Sequence, residues 1–181
     1  MKKILGMLAL TLTFIACDSD VVFNDPSFGA QRLTELNDSI SLPTYEYWKA
    51  TDFSAKELDG GGIVITGSDG YTTIELRTVS YEYGSKYDMG LLEVDSATLT
   101  YKNDEGEVIL PIYVTNSEVG SGYITYSPKE KQVGGTISGE FNITFVIDGV
   151  MDEESFIRDK SKKRQTYNKG VFYRVPLEQA K

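Results

Sequence analysis

From Trp48 onward the chain consists of short runs in which apolar and polar residues alternate, each cut off by a glycine, asparagine, aspartate or proline break. Phe53 and Ala55 alternate with polar neighbours, as do Ile63 with Ile65 and Ile74 with Leu76, and the pattern returns in residues 97–101, 109–115, 123–126, 136–147 and 171–175. A side-chain period of two is the pleat of a strand with one buried face. The breaks Asp59-Gly60-Gly61-Gly62, Asp69-Gly70 and Asn103-Asp104-Glu105-Gly106 carry residues that tolerate positive φ, the requirement of tight hairpins. Ser127-Pro128-Lys129-Glu130 reads as a further turn. Roughly eight or nine short strands at regular spacing predict an all-β domain, an antiparallel β-sandwich, with a partly open β-barrel as the alternative. All 12 tyrosines lie after residue 44, interleaved with valine, isoleucine and threonine, which suits half-buried pleated surfaces.

The first seventeen residues follow a different rule. Lys2 and Lys3 precede an uncharged core from Ile4 to Ile15, then small Ala16, Cys17 and acidic Asp18. A basic end, an apolar core too short to span a bilayer and a small residue before the cut are the parts of a secretory signal. Cys17 is the only cysteine, so it forms no intramolecular disulfide, and a thiol at the end of such a core is what a lipoprotein pathway acylates. The expected organisation is a signal peptide over 1–16 cleaved between Ala16 and Cys17, a lipidated tether and short docking segment over 17–47, and a β-domain over 48–177. Several acyl chains on Cys17 would hold the protein to a membrane, which a single chain does only marginally. Within the tether, Leu33, Leu36 and Ile40 fall at helical spacing, so a short helix is expected between Ala30 and Asn37, ended by Pro43.

One long break interrupts the strands. Residues 148–169 run acidic at Asp152, Glu153 and Glu154, apolar at Phe156 and Ile157, then basic at Lys160, Lys162, Lys163 and Arg164. A connection of that length in a small domain is a solvated excursion or a partner-docking loop.

Charge and composition narrow the chemistry. With 18 basic against 27 acidic residues the net charge is −9, and loss of Lys2 and Lys3 with the signal makes the mature chain more acidic still. No basic face for nucleic acid is expected, whereas a glycan or a protein partner in the cell envelope fits. There is no histidine and no thiol besides Cys17, which removes Ser-His-Asp and Cys-His catalysis and histidine–cysteine zinc sites. No phosphate-binding or dinucleotide fingerprint occurs, and no cofactor or metal is expected; Asn103-Asp104-Glu105 and the acidic run after Asp148 read as polar turns. Glycoside hydrolysis needs only two carboxylates, but no pair stands out by position, so no catalytic residue is assigned and the chain reads as a non-enzyme.

Two candidate features remain. Trp48, Tyr81 and Tyr83 could present aromatic planes to the apolar faces of sugar rings, although such residues more often fill a β-core. Asp38-Ser39-Ile40 and Asp95-Ser96-Ala97 resemble an O-glycosylation acceptor motif of exported proteins, which makes Ser39 and Ser96 candidate modification sites and requires both to be exposed. Asn142-Ile143-Thr144 fits an N-glycosylation sequon but falls in an expected strand.

The signal with acidic residues after it, Trp48-Lys49-Ala50-Thr51-Asp52-Phe53, Tyr83-Gly84 with Tyr87-Asp88-Met89-Gly90, Thr136-Ile137-Ser138-Gly139-Glu140-Phe141 and Gly170-Val171-Phe172-Tyr173-Arg174-Val175-Pro176 together resemble a family of flavobacterial (Bacteroidota) lipoproteins whose shared domain has no known function. The resemblance implies a lipid-anchored β-domain at the outer membrane and brings no catalytic residues. The expected role is that of a non-catalytic envelope lipoprotein that binds or scaffolds. A glycan-binding accessory module of an outer-membrane nutrient-uptake system is the alternative, and a small carbohydrate-active hydrolase a more distant one.

Overall fold

The computed structural model describes residues 25–34, 44–90, 94–116, 120–148 and 164–180. Residues 1–24, which include the expected signal peptide, and 35–43 of the expected tether lie outside them. The described residues form eleven strands: β1 (Ser27–Thr34), β2 (Thr44–Lys49), β3 (Asp52–Glu57), β4 (Ile63–Ser68), β5 (Thr72–Thr78), β6 (Lys86–Met89), β7 (Ser96–Lys102), β8 (Val108–Val114), β9 (Gly122–Tyr126), β10 (Thr136–Ile147) and β11 (Gln165–Glu178).

The expected hairpins form where glycine supplies the turn. Between β3 and β4, Gly61 takes φ +85° and the Leu58 N–H donates to Gly62 O at 2.8 Å. Between β4 and β5, Gly70 takes φ +97° while the Asp69 carboxylate accepts the Tyr71 and Thr72 N–H groups at 2.9 and 2.6 Å. Between β7 and β8, Gly106 takes φ +82° and Asn103 Oδ1 accepts the Glu107 N–H at 2.8 Å. The Ser127 break is instead a single 3-10 turn, Lys129–Lys131.

The strands make two layers joined at both sides. One layer runs β2-β1-β11-β10-β9-β6, and the other runs β3-β4-β5-β7-β8. The two longest strands belong to both. β10 pairs with β11 and β9 along most of its length, then its end reaches β8 through Val146 with Val114 and Ile147 with Tyr113. β11 pairs with β1 and β10, then its tail reaches β3 through Leu177 with Ala55 and Glu178 with Lys56. That last pairing is parallel, so the sheet is mixed and not purely antiparallel. β2 and β6 end the strand order without pairing to each other, so the barrel is not closed.

What bends β11 is legible in its backbone. Relative to β10 it carries two register shifts, and in each lies a residue in the left-handed region, Lys169 at φ +47° and Arg174 at φ +51°. An extra residue in one strand increases local twist and re-aims the chain, which is how a strand leaves one layer for another.

The expected helix over 30–37 is overturned where it can be seen: residues 30–34 belong to β1. Ladders to β2 on one side and β11 on the other satisfy its backbone groups, and three apolar residues at helical spacing cannot outweigh that. Leu36 and Ile40 lie outside the described residues. Phe28, Ala30 and Trp48 are buried in the shared core, so the sheet takes in residues 27–34 and 44–47 upstream of the tryptophan. At the other end Gln165 already begins β11; Phe156 and Ile157 lie outside the described residues.

The core is one cluster drawn from both layers. β4 and β5 turn Ile63, Ile65, Ile74 and Leu76 inward, each at most 1% exposed, against Phe28, Phe141, Ile143 and Phe172 of the other layer. Phe28 stacks on Phe141 with ring centroids 5.3 Å apart and meets Trp48 edge-on at 5.7 Å. Between β10 and β11 the packing is reciprocal. Gly139 lies opposite Phe172 and Phe141 opposite Gly170, so each ring covers the glycine of the facing strand. A Cβ on Gly139 would overlap the Phe172 ring, and one on Gly170 would come within 2.5 Å of three Phe141 ring carbons.

Gly170→Ala is therefore expected to cost about 1–3 kcal/mol of overpacking in urea unfolding, although alanine is the better strand residue at an unconstrained site. Exposed Lys169→Gly relieves a left-handed residue and is expected to be neutral or stabilising by up to about 1 kcal/mol, whereas Lys169→Val destabilises.

Candidate functional site

The structure separates the sequence-derived candidates. Ala16, Cys17 and Ser39 lie outside the described residues. Ser96 is 5% exposed at the start of β7, where its neighbour Ala97 enters the core, so it does not offer the exposed hydroxyl that a glycan acceptor needs. Trp48 is 7% exposed, packed edge-on against Phe28 and Tyr167, and its Nε1–H donates to Asp69 Oδ2 at 2.9 Å. Its ring is core and belongs to no ligand platform. Tyr81 and Tyr83 do come together, and they do so in a cleft.

This cleft, about 700 Å³, opens where β11 leaves β10 for β3. Glu57, the last residue of β3, forms one wall with Tyr81 and Tyr83 from the segment that follows β5. Gly134, Gly135 and Leu177 form another part of the wall, tied together by the Leu177 N–H donating to Gly135 O at 2.9 Å, with exposed Lys129 also lining the cleft. A Cβ on either glycine would meet nothing within 4 Å, so this wall is low and open. Gln132 also lines the cleft and braces this wall: its amide nitrogen donates to Ser127 O at 2.9 Å and Ser138 O at 3.1 Å, and its oxygen accepts the Ser138 N–H at 2.9 Å.

The aromatic pair is anchored from the core outward. Phe172 contacts Tyr126, Tyr126 contacts Tyr81 at 5.6 Å, and Tyr83 meets Tyr81 edge-on at 5.9 Å and 83°. Buried Tyr126 shares a 2.8 Å hydrogen bond with Thr78 Oγ1. The Tyr81 hydroxyl donates to Glu57 Oε1 at 2.6 Å. Burial first, then the Glu57 hydrogen bond, push the Tyr81 hydroxyl well above the ordinary tyrosine range, so it stays protonated and keeps donating. Tyr83 remains 39% exposed, with its ring at the cleft.

Two other constellations are weaker. A depression of about 540 Å³ is lined by Asp88, Met89, Val94, Asp95 and Gly122, but Asp95 Oδ1 already caps the Val79 N–H at 2.9 Å. Among the described residues no three histidine, cysteine or acidic side chains gather as a metal site would need. Elsewhere Arg32, Tyr101 and Tyr167 bury polar atoms that make no hydrogen bond of ordinary geometry, and those atoms are sealed from solvent, so they present nothing to a ligand.

Of the site, sequence reasoning found Tyr81 and Tyr83 and missed Glu57, Lys129, Leu177 and the open diglycine. Glu57 is 24 positions from the tyrosine it binds, and no local spacing links them. Gly134-Gly135 was the one remaining local signal, a second glycine run outside the expected turns.

Comparison with family models matches residues 43–176 to one described as Domain of unknown function (DUF6252). Neither the curated proteins nor the solved structures contain a match.

Buried tyrosines give the domain an alkaline limit. Burial chiefly holds the Tyr126 and Tyr167 hydroxyls far above their ordinary values, with Tyr81 as described. An unfolded chain loses these protons near pH 10 while the folded one keeps them, so stability is full below that pH and falls as pH rises past it. Absorbance titration at constant temperature should show these tyrosines ionising only with unfolding; their titration near pH 10 in a still-folded protein would contradict the burial assigned to them.

Proposed function

The chain belongs to the family described as Domain of unknown function (DUF6252), and we propose that it is a lipid-anchored protein of the bacterial cell envelope whose β-domain binds a ligand and does not catalyse. The anchor rests on the order of residues from Met1 to Cys17: basic, apolar, small, then a lone thiol. An outer-membrane position follows from the resemblance to flavobacterial lipoproteins. The acidic charge suits an exported domain held near, and not adsorbed to, an anionic surface.

The observation that carries the binding reading is the Tyr81–Tyr83–Glu57 cleft. It combines a half-exposed ring, a hydrogen-bonded carboxylate and open backbone in one concavity, the mixture that ligand sites use. Among its described lining residues Glu57 is the one carboxylate. Hydrolysis of a glycosidic bond asks for two, roughly 5–10 Å apart, so a hydrolase reading has little to stand on here.

Cys17→Ser is expected to abolish incorporation of labelled palmitate and to move the protein from the membrane fraction to the soluble one. Unchanged membrane association would overturn the anchor, whatever the β-domain binds.

A further inference from the structure

We propose that the Tyr83 cleft receives a neutral hexopyranose unit of a glycan, with the apolar face of the sugar on the Tyr83 ring and adjacent sugar hydroxyls donating to Glu57. The inference rests on the reading of this cleft as the binding site and adds the ligand class.

Three features of the cleft select that chemistry. First, Tyr83 offers an aromatic surface that is held still before any ligand arrives. Its edge contact to Tyr81, and the contacts of Tyr81 to Tyr126 and of Tyr126 to Phe172, tie an exposed ring to the core. Sugar rings carry apolar C–H faces that pack on such planes, and a pre-set ring spares the ordering cost that weakens binding. Second, the Tyr81 hydroxyl bonds only one Glu57 oxygen, Oε1 at 2.6 Å. Among the described residues no donor reaches the other oxygen, and the tyrosine fixes the carboxylate so that this oxygen can accept from a diol. Third, charge selects neutrality. Glu57 and Lys129 place one charge of each sign at the cleft, so neither an anionic uronate nor an amine gains a net attraction, whereas a polyol can donate to the one and accept from the other.

The diglycine wall suits a chain of sugars better than a single enclosed one. Gly134 and Gly135 leave open space where any side chain would stand, so neighbouring units can run out over the rim. An amphipathic ring stacked at the centre with its neighbours left outside gives modest affinity per unit, which membrane anchoring of many copies would raise through avidity.

The test uses the soluble Cys17→Ser protein in amide-resolved NMR, titrated with neutral gluco-, galacto- and manno-oligosaccharides, with an oligogalacturonate for comparison. At least one neutral series should shift the Tyr83, Gly134 and Gly135 amides. Tyr83→Ala should then weaken binding by about tenfold or more, the loss of one aromatic contact, while Tyr47→Ala on the outer surface leaves it unchanged. Glu57→Gln should weaken binding while the Tyr81 environment is retained. Tighter binding of the uronate than of every neutral sugar would overturn the proposed neutrality. Sugar-induced shifts confined to β2 or other outer residues, insensitive to Tyr83→Ala, would place the sugar elsewhere and overturn the inference. If no saccharide shifts any amide but phenol shifts those of the cleft, the sugar assignment fails and the cleft survives as a binding site. If phenol also leaves the cleft amides unmoved, both readings fail.

Discussion

The packing that everything else in this domain leans on is the exchange of rings and glycines between β10 and β11. Phe172 covers Gly139 and Phe141 covers Gly170, so the two long strands approach closely on the core face without a side chain between ring and backbone. A glycine inside a strand is ordinarily a weak point, with backbone freedom to lose and nothing to pack. Here each one is the space a phenylalanine needs, and the weakness becomes a notch that sets register. Slipping the pair by one residue would bring rings onto side chains and turn the buried set outward.

That register has consequences at both ends of the pair. β10 runs on to meet β8, and β11, bent by its two bulges, runs on to meet β3, so the same two strands border both layers. The layers therefore share one core, in which Phe28 and Phe141 stack over the isoleucines of β4 and β5. The cleft is a by-product of this arrangement. It opens where the β11 tail parts from the start of β10, and Tyr126, packed against Phe172, is the base from which Tyr81 and Tyr83 project. Cleft geometry and core packing are thus parts of one aromatic chain.

What could be read from the sequence was local. The hairpin turns at Gly61, Gly70 and Gly106 and the alternation of β4 and β5 follow from residue type and a period of two, and all are present. The sharing of β10 and β11 between layers was not readable, because it depends on register shifts at Lys169 and Arg174, residues with no special preference for the left-handed region. β1 departs from its expected helix for a related reason: its apolar residues are spaced ambiguously, and only the strands on either side decide. The same limit applied to the site. Tyr81 and Tyr83 advertise themselves by type and proximity, whereas Glu57 joins them through the fold alone, and Trp48 and Ser96 were removed by burial that alternation did not reveal.

If β10 and β11 bind the two layers into a single unit, they must open together. Native-state hydrogen exchange across a urea series measures this directly, amide by amide. The Phe141 and Phe172 amides should converge with those of Ile65 and Leu76 on one opening free energy, equal to that of global unfolding. Separate plateaus, with β3, β4, β5 and β7 protected after β10 and β11 have opened, would show two independent sheets and contradict the shared core described above.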